Sequence, residues 1–267
     1  MNNIKRSSET LREALNFDNN FLSWFIGFAE GDGCFCNTGK RGYLEFKITQ
    51  SSSDAQVLFY IKKQLGFGSV SVQDKNNNTH HYRVRDKENL IKLINIFNGN
   101  LLTEKKNIQF KNWLECFNVR YQTEIEFIPN INKTFLDIYN NGWLSGFTDS
   151  EGCFTAYSAK KTETYTQIFV NYILSQKGEK ELMYQISNLL NGTIHYLESY
   201  EGYNIRVTLS KLNPIINYFK RFPLKTKKHI SFLTWVKIYN LVIDKKHLTP
   251  EGLETIQSLI KKLNKEF

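Results

Sequence analysis

The sequence lacks metal-binding clusters, paired cysteines and membrane-length apolar runs, and each shortage removes a class of protein. Its four cysteines (Cys34, Cys36, Cys116, Cys153) form no Cys-x-x-Cys pair, and its five histidines are scattered with no His-x-x-x-His spacing. Structural zinc needs Cys and His at short regular spacings, so no zinc site is expected and reduced thiols are. The apolar runs are too short and too often interrupted to span a bilayer. Residues 1–16 carry charges of both signs and no apolar core, so no secretory signal is expected.

What is present is material for a core. Hydrophobic residues make up 41% and aromatics 14% of 267 positions, enough for one large domain or two of ordinary size. The formal charge of +9 points to a polyanionic partner, with lysines on a solvated surface as the plainer alternative.

The strongest feature is a repeat. Residues 24–35 read WFIGFAEGDGCF and residues 143–154 read WLSGFTDSEGCF. Trp, Gly, Phe, an acid, a small residue, an acid, Gly, Cys and Phe return in order without a gap. The echo continues: residues 46–50 match 172–176, and Tyr82-Arg-Val-Arg resembles Tyr203-Asn-Ile-Arg. Residues 97–118 match 219–240, with Lys105-Lys106 on Lys227-Lys228 and Trp113 on Trp235. Two diverged copies of one unit are expected: a first repeat over 1–120, a linker over 121–133 and a second repeat with a closing helix over 134–267.

Within a copy the periodicity predicts a helix over 21–32 capped by Asp18, Asn19 or Asn20, with Gly33 and Gly152 at the C-cap positions. Strands over 34–38 and 42–50 follow, joined by a turn at residues 37–39. Next come a helix ending at Leu65, strands over 68–73 and 80–85, and helices over 87–97 and 107–119. The fold class is therefore α+β: two pseudo-symmetric αββαββα units, each with a four-stranded antiparallel sheet that has helices on one face and solvent on the other.

Gly27 and Gly31 lie four apart on one helix face, as do Gly146 and Ser150, so the two motif helices are expected to pack closely against each other. Asp32 and Glu151 each end a helix, where the macrodipole is already negative. Parallel packing would bring both acids to one end, a costly arrangement unless a cation neutralises it. Oxygen-only ligands favour a divalent ion such as Mg2+.

These paired motifs resemble the two signatures of a LAGLIDADG homing endonuclease in its single-chain, duplicated form. The tail, residues 247–253, is similar to those of fungal mitochondrial, intron-encoded members. The resemblance implies metal-dependent, staggered cleavage of both strands of a long double-stranded DNA target by a monomer in the mitochondrion. It implies that Asp32 and Glu151 bind metal together with the backbone carbonyls of Gly31 and Ser150. It also implies that Gln50, Gln176, Lys105 and Lys227 support catalysis, with Lys106 and Lys228 as adjacent candidates. Glu30 departs from the more usual Asp. A second role found in such proteins, an RNA maturase that assists splicing of intron RNA, remains an alternative to cleavage or an addition to it.

Strand alternation then predicts which residues face the open side of each sheet. In the first copy these are Thr38, Lys40, Lys47, Thr49, Ser71, Gln73, Arg83 and Arg85. In the second they are Tyr157, Lys161, Ser175, His195, Asn204 and Arg206. Polar and basic side chains of this kind can contact phosphates and base edges in a major groove. Because the two sets differ, the target is expected to be asymmetric.

Overall fold

The Asp18 carboxylate accepts the backbone N–H of Asn20 at 3.1 Å and so opens helix α1, Asn19–Asp32. In this computed structural model, residues 18–38, 43–130, 139–163 and 165–263 are described. After α1 come β1 (Gly33–Thr38), β2 (Tyr43–Ser51), α2 (Gln56–Leu65), β3 (Ser69–Asp74), β4 (Thr79–Val84), α3 (Lys87–Phe97) and α4 (Glu104–Tyr121). The second copy runs α5 (Trp143–Glu151), β5 (Gly152–Lys160), β6 (Thr166–Lys177), α6 (Lys180–Leu189), β7 (Thr193–Leu197), β8 (Gly202–Thr208), α7 (Asn213–Arg221) and α8 (Lys228–Ile243). A further helix, α9 (Pro250–Leu263), follows it. Each copy forms one antiparallel sheet, ordered β1-β2-β4-β3 and β5-β6-β8-β7.

One face of each sheet is apolar and covered by its helices. Phe35, Phe46, Ile48, Tyr82 and Val84 are buried in the first sheet, where Phe35 meets Phe97, Phe110 and Trp113 at ring separations of 5.2, 5.1 and 5.5 Å. The second sheet repeats the arrangement with Phe154 against Phe219, Phe232 and Trp235 at 5.5, 5.4 and 5.1 Å. Clusters of this kind bury large apolar area in favourable edge and tilted geometries.

The chain separates into two compact units, Met1–Ser150 and Glu151–Phe267. The first unit thus takes in nearly all of α5, and it does so through glycine. A methyl group built on Gly27 would fall on the carbonyl oxygen of Trp143, and one on Gly146 would fall on that of Trp24. Gly142 lies against Asn20 and Ser23, so the contacts advance together along both helices and the pair is parallel. The expected helix contact is therefore present, and it needs the two glycines for backbone approach.

Three details differ from the sequence reading. Gly33 ends α1 with φ −73°, an extended conformation rather than the left-handed one of a typical C-cap glycine. Its glycine is required by proximity, since a Cβ there would lie 2.5 Å from the Ala29 oxygen. The match of Tyr82 to Tyr203 is also displaced. Tyr82 pairs with Ile48, whereas Ile205 pairs with the corresponding Leu174, so the true partner of Tyr82 is Ile205. A two-residue slip preserves the facing of every side chain, which is why alternation alone could not detect it. Asn37 and Thr38 continue β1 instead of turning, and Gly39 and Lys40 lie outside the described residues.

Candidate active site and nucleic-acid interface

Each motif helix ends in a carboxylate that meets a glutamine from the second strand of its own sheet. Gln50 Nε2 donates to Asp32 Oδ2 at 2.6 Å in the first unit. In the second unit, with its amide nitrogen turned towards the acid, Gln176 donates to Glu151 Oε2 at 3.2 Å and Oε1 at 3.3 Å. Position, partner and helix end are therefore the same in both copies. Ser150, one residue before Glu151, donates its hydroxyl to the Phe147 carbonyl at 3.0 Å.

The lysines divide unequally. Lys105 and Lys227 are exposed, whereas Lys106 is buried and its Nζ donates to the Gly33 carbonyl beside Asp32. Burial lowers the Lys106 pKa, opposed by the nearby Cys34, Glu30 and Asp32 groups. Lys228 is half-buried, with its charge near Cys153 as that of Lys106 is near Cys34. Of the two adjacent pairs, Lys106 and Lys228 thus stand deeper in the fold.

The donor set is hard oxygen. Among the described residues no group of three or more His, Cys, Asp and Glu gathers as a ready metal cluster. One helix-end carboxylate per copy, with main-chain carbonyls alongside, suits a hydrated divalent cation that takes its remaining ligands from water and phosphate. It does not suit zinc.

A second pair of acids in the motifs is structural. Trp24 Nε1 donates to Asp149 Oδ2 at 2.8 Å, and Trp143 Nε1 donates to Glu30 Oε1 at 3.0 Å. Each motif's tryptophan is therefore held by the other motif's acid. Glu30 also accepts the backbone N–H groups of Leu102 at 2.8 Å and Thr103 at 2.6 Å. The extra methylene that distinguishes it from Asp gives it that reach. Burial raises its pKa against these donors.

Register places Lys47, Thr49, Arg83 and Ser71 on the face of the first sheet opposite Phe35, Phe46 and Ile48. Thr49 Oγ1 donates to Gln73 Oε1 at 2.7 Å, and Arg85, just beyond β4, is exposed. Thr38 closes β1 opposite Tyr43. The same face carries further residues that the sequence reading missed, among them Cys34, Cys36, Glu45 and His81. Simple alternation from Phe35, Phe46 and Val84 would have found them. His81 accepts from Arg83 Nη2 at 2.7 Å, and burial, with the charges of Arg83 and Lys47, lowers its pKa.

In the second sheet Ser175, Asn204 and His195 form one cross-strand row, and Arg206 stands opposite Ile173 and Thr193. Tyr157 is stacked on Phe169 at 4.7 Å, and Lys161 lies over the Phe169 ring at 5.5 Å. Phe169 and Ile173 were not anticipated on this face.

Known proteins resemble this chain along most of its length. A family model described as "LAGLIDADG endonuclease" matches residues 25–117 and again 144–239. The "Probable intron-encoded endonuclease 4" of Neurospora crassa is 53% identical over 266 residues, covering 99% of this chain and 48% of that relative. The chain therefore spans about half of that protein's length. The "Intron-encoded RNA maturase bI4" of Saccharomyces cerevisiae is 27% identical over 223 residues, 83% of this chain and 32% of the relative. The crystal structure of the LAGLIDADG meganuclease I-AabMI, bound to uncleaved DNA, shares the fold with a TM-score of 0.76 at 23% identity, covering 90% of this chain and 98% of that one.

Proposed function

The chain belongs to the LAGLIDADG endonuclease family, and from that premise we propose that it is a site-specific homing endonuclease making a staggered double-strand cut in a long, asymmetric DNA target. The observation that carries this reading is the recurrence of one set: a helix-ending acid with a glutamine donor on it, Asp32 with Gln50 and Glu151 with Gln176. Asp32 and Glu151, with the carbonyls of Gly31 and Ser150, are the residues that would hold divalent metal, Mg2+ being the ion that hard oxygen donors favour. A bound cation would stabilise charge on the phosphodiester oxygens and acidify an attacking water. Gln50 and Gln176 fix the rotamers of the two acids by their hydrogen bonds. Lys106 and Lys228, with Lys105 and Lys227 more exposed beside them, supply positive charge near the same helix ends. The exposed sheet faces, through Lys47, Arg83, Arg85, Arg206 and their neighbours, bind the duplex; Thr38 joins this set by its register opposite Tyr43, and Lys40, outside the described residues, is kept in it from the sequence pattern alone.

Two copies in one chain make a monomer sufficient, and the intron-encoded relatives favour a mitochondrial gene and site of action. The similarity to a maturase supports a second reading, an RNA-splicing role alone or alongside cleavage. Selecting cleavable duplexes from a randomised library, with and without Mg2+, tests the main proposal. Cleavage at a defined long site only in the presence of the metal is expected. Absence of cutting, together with specific retention of intron RNA, would replace the nuclease with the splicing role.

A further inference from the structure

The two sheet faces are built to one plan, and their departures from it are chemical. Aligned by strand register, Lys47 corresponds to Ile173, Arg83 to Arg206 and Glu45 to Asn171. Arg85, one residue past β4, corresponds to Thr208. The first face therefore carries an acid and an extra arginine that the second lacks.

An acid on a face meant for DNA repels phosphate, so Glu45 calls for an explanation. Its side chain is only 5% exposed, whereas that of Arg85 is 49% exposed. Arg85 Nε donates to Glu45 Oε2 at 2.8 Å, and Arg83 Nε lies 3.5 Å from the same oxygen. The Tyr43 ring stands 5.9 Å from the Arg85 guanidinium carbon and limits its swing. Glu45 thus holds Arg85 by the inner edge of its guanidinium. Among the described residues the outer Nη groups of Arg85 meet no acceptor. Two parallel N–H donors, presented outwards at a fixed angle, match the O6 and N7 acceptors of guanine in a major groove.

Resting on the DNA-cleaving reading above, we propose that Arg85 reads a guanine in the half-site bound by the first unit, with Glu45 as the residue that positions it. Thr208 and Ile173 give the second half-site no such contact. The charge of Glu45 is then neutralised locally, and what reaches the groove is the fork of Arg85.

The test is selection by binding, so that it does not depend on cleavage. Randomised duplexes retained by the wild-type chain are compared with those retained by Arg85→Ala, Arg85→Lys, Glu45→Ala and Glu45→Gln, each checked for an unchanged melting temperature. Wild type should select guanine at one position in one half-site, and Arg85→Ala should lose that preference by roughly 10- to 100-fold while other positions hold. Arg85→Lys keeps the charge without the fork and should lose selectivity more than affinity. Glu45→Ala should blunt the same position, and Glu45→Gln, still able to accept from Nε, should restore it in large part. Uniform weakening across all sequences by Arg85→Ala would make this a phosphate contact and overturn the proposal. An unchanged preference would make Arg85 and Glu45 a structural ion pair and overturn it equally. Guanine selection without any cleavage would support the assignment while removing the nuclease reading; cleavage with no guanine position sensitive to Arg85 would do the reverse.

Discussion

The two copies agree where they handle a carboxylate and disagree where they face outwards. Asp32 with Gln50 and Glu151 with Gln176 repeat one arrangement, as do the two aromatic cores and the reciprocal tryptophan–acid bonds. On the open faces Glu45, Lys47 and Arg85 give way to Asn171, Ile173 and Thr208, and an aromatic pair, Tyr157 on Phe169, appears on the second sheet alone. Asn204 Oδ1 is buried there with no partner among the described residues. Duplication followed by divergence of this kind keeps the helix-end contacts and frees the outward faces. A face can change residue by residue at little cost to the core behind it, because alternate side chains of a strand serve opposite sides.

The largest expected effect tests the agreement. Asp32→Asn and Glu151→Gln each remove one charge and leave the side-chain shape. Either alone should reduce double-strand cleavage to background while DNA binding is largely kept, as read by plasmid cleavage beside a gel-shift titration. Near-normal cutting by one mutant would show that the two motifs are not chemically equivalent, whatever their geometry.

The helix contact offers the next test. Gly27→Ala and Gly146→Ala each place a methyl on a backbone oxygen of the facing helix, so the helices must separate. Each should cost about 3 kcal/mol or more in denaturant unfolding, and the two losses should be similar. A much smaller cost at one position would show that the near-symmetry of the contact is only apparent.

How much of this was visible in the sequence depended on what repeated. Gly27 and Gly146, and the helix-ending acids, stood out because they returned in register. The strands were legible from Phe46 and Ile48 alternating with Lys47 and Thr49. The reciprocal bonds of Trp24 with Asp149 and Trp143 with Glu30 were not legible, since nothing in one motif says that its tryptophan is satisfied by the other. The recurring Trp-to-acid spacing was the available signal. Glu45 was overlooked because an acid on a basic face looks out of place until its arginines are seen. The deeper setting of Lys106 than Lys105 depends on the helical phase of α4 against β1, which adjacent lysines in a sequence cannot reveal.

The smallest expected effect concerns Glu30, whose counterpart Asp149 is one methylene shorter. Three N–H donors converge on the Glu30 carboxylate, from Leu102, Thr103 and Trp143, and they favour its charged form. Burial opposes them and prevails, holding the pKa above the ordinary value of 4.5. A raised folded pKa means that the folded state favours the protonated acid. The associated stability is complete below about pH 4.5 and is lost as the pH rises through the folded value. Glu30→Gln keeps one acceptor oxygen but turns an amide towards N–H groups, a loss of about 1–3 kcal/mol at acid pH. The gap between wild type and mutant should therefore narrow as the pH rises, in denaturant melts taken at several pH values. A gap that widens instead would mean that the three donors outweigh burial and that Glu30 is a buried anion, its charge held by the backbone of the loop before α4 and by the indole of the other motif.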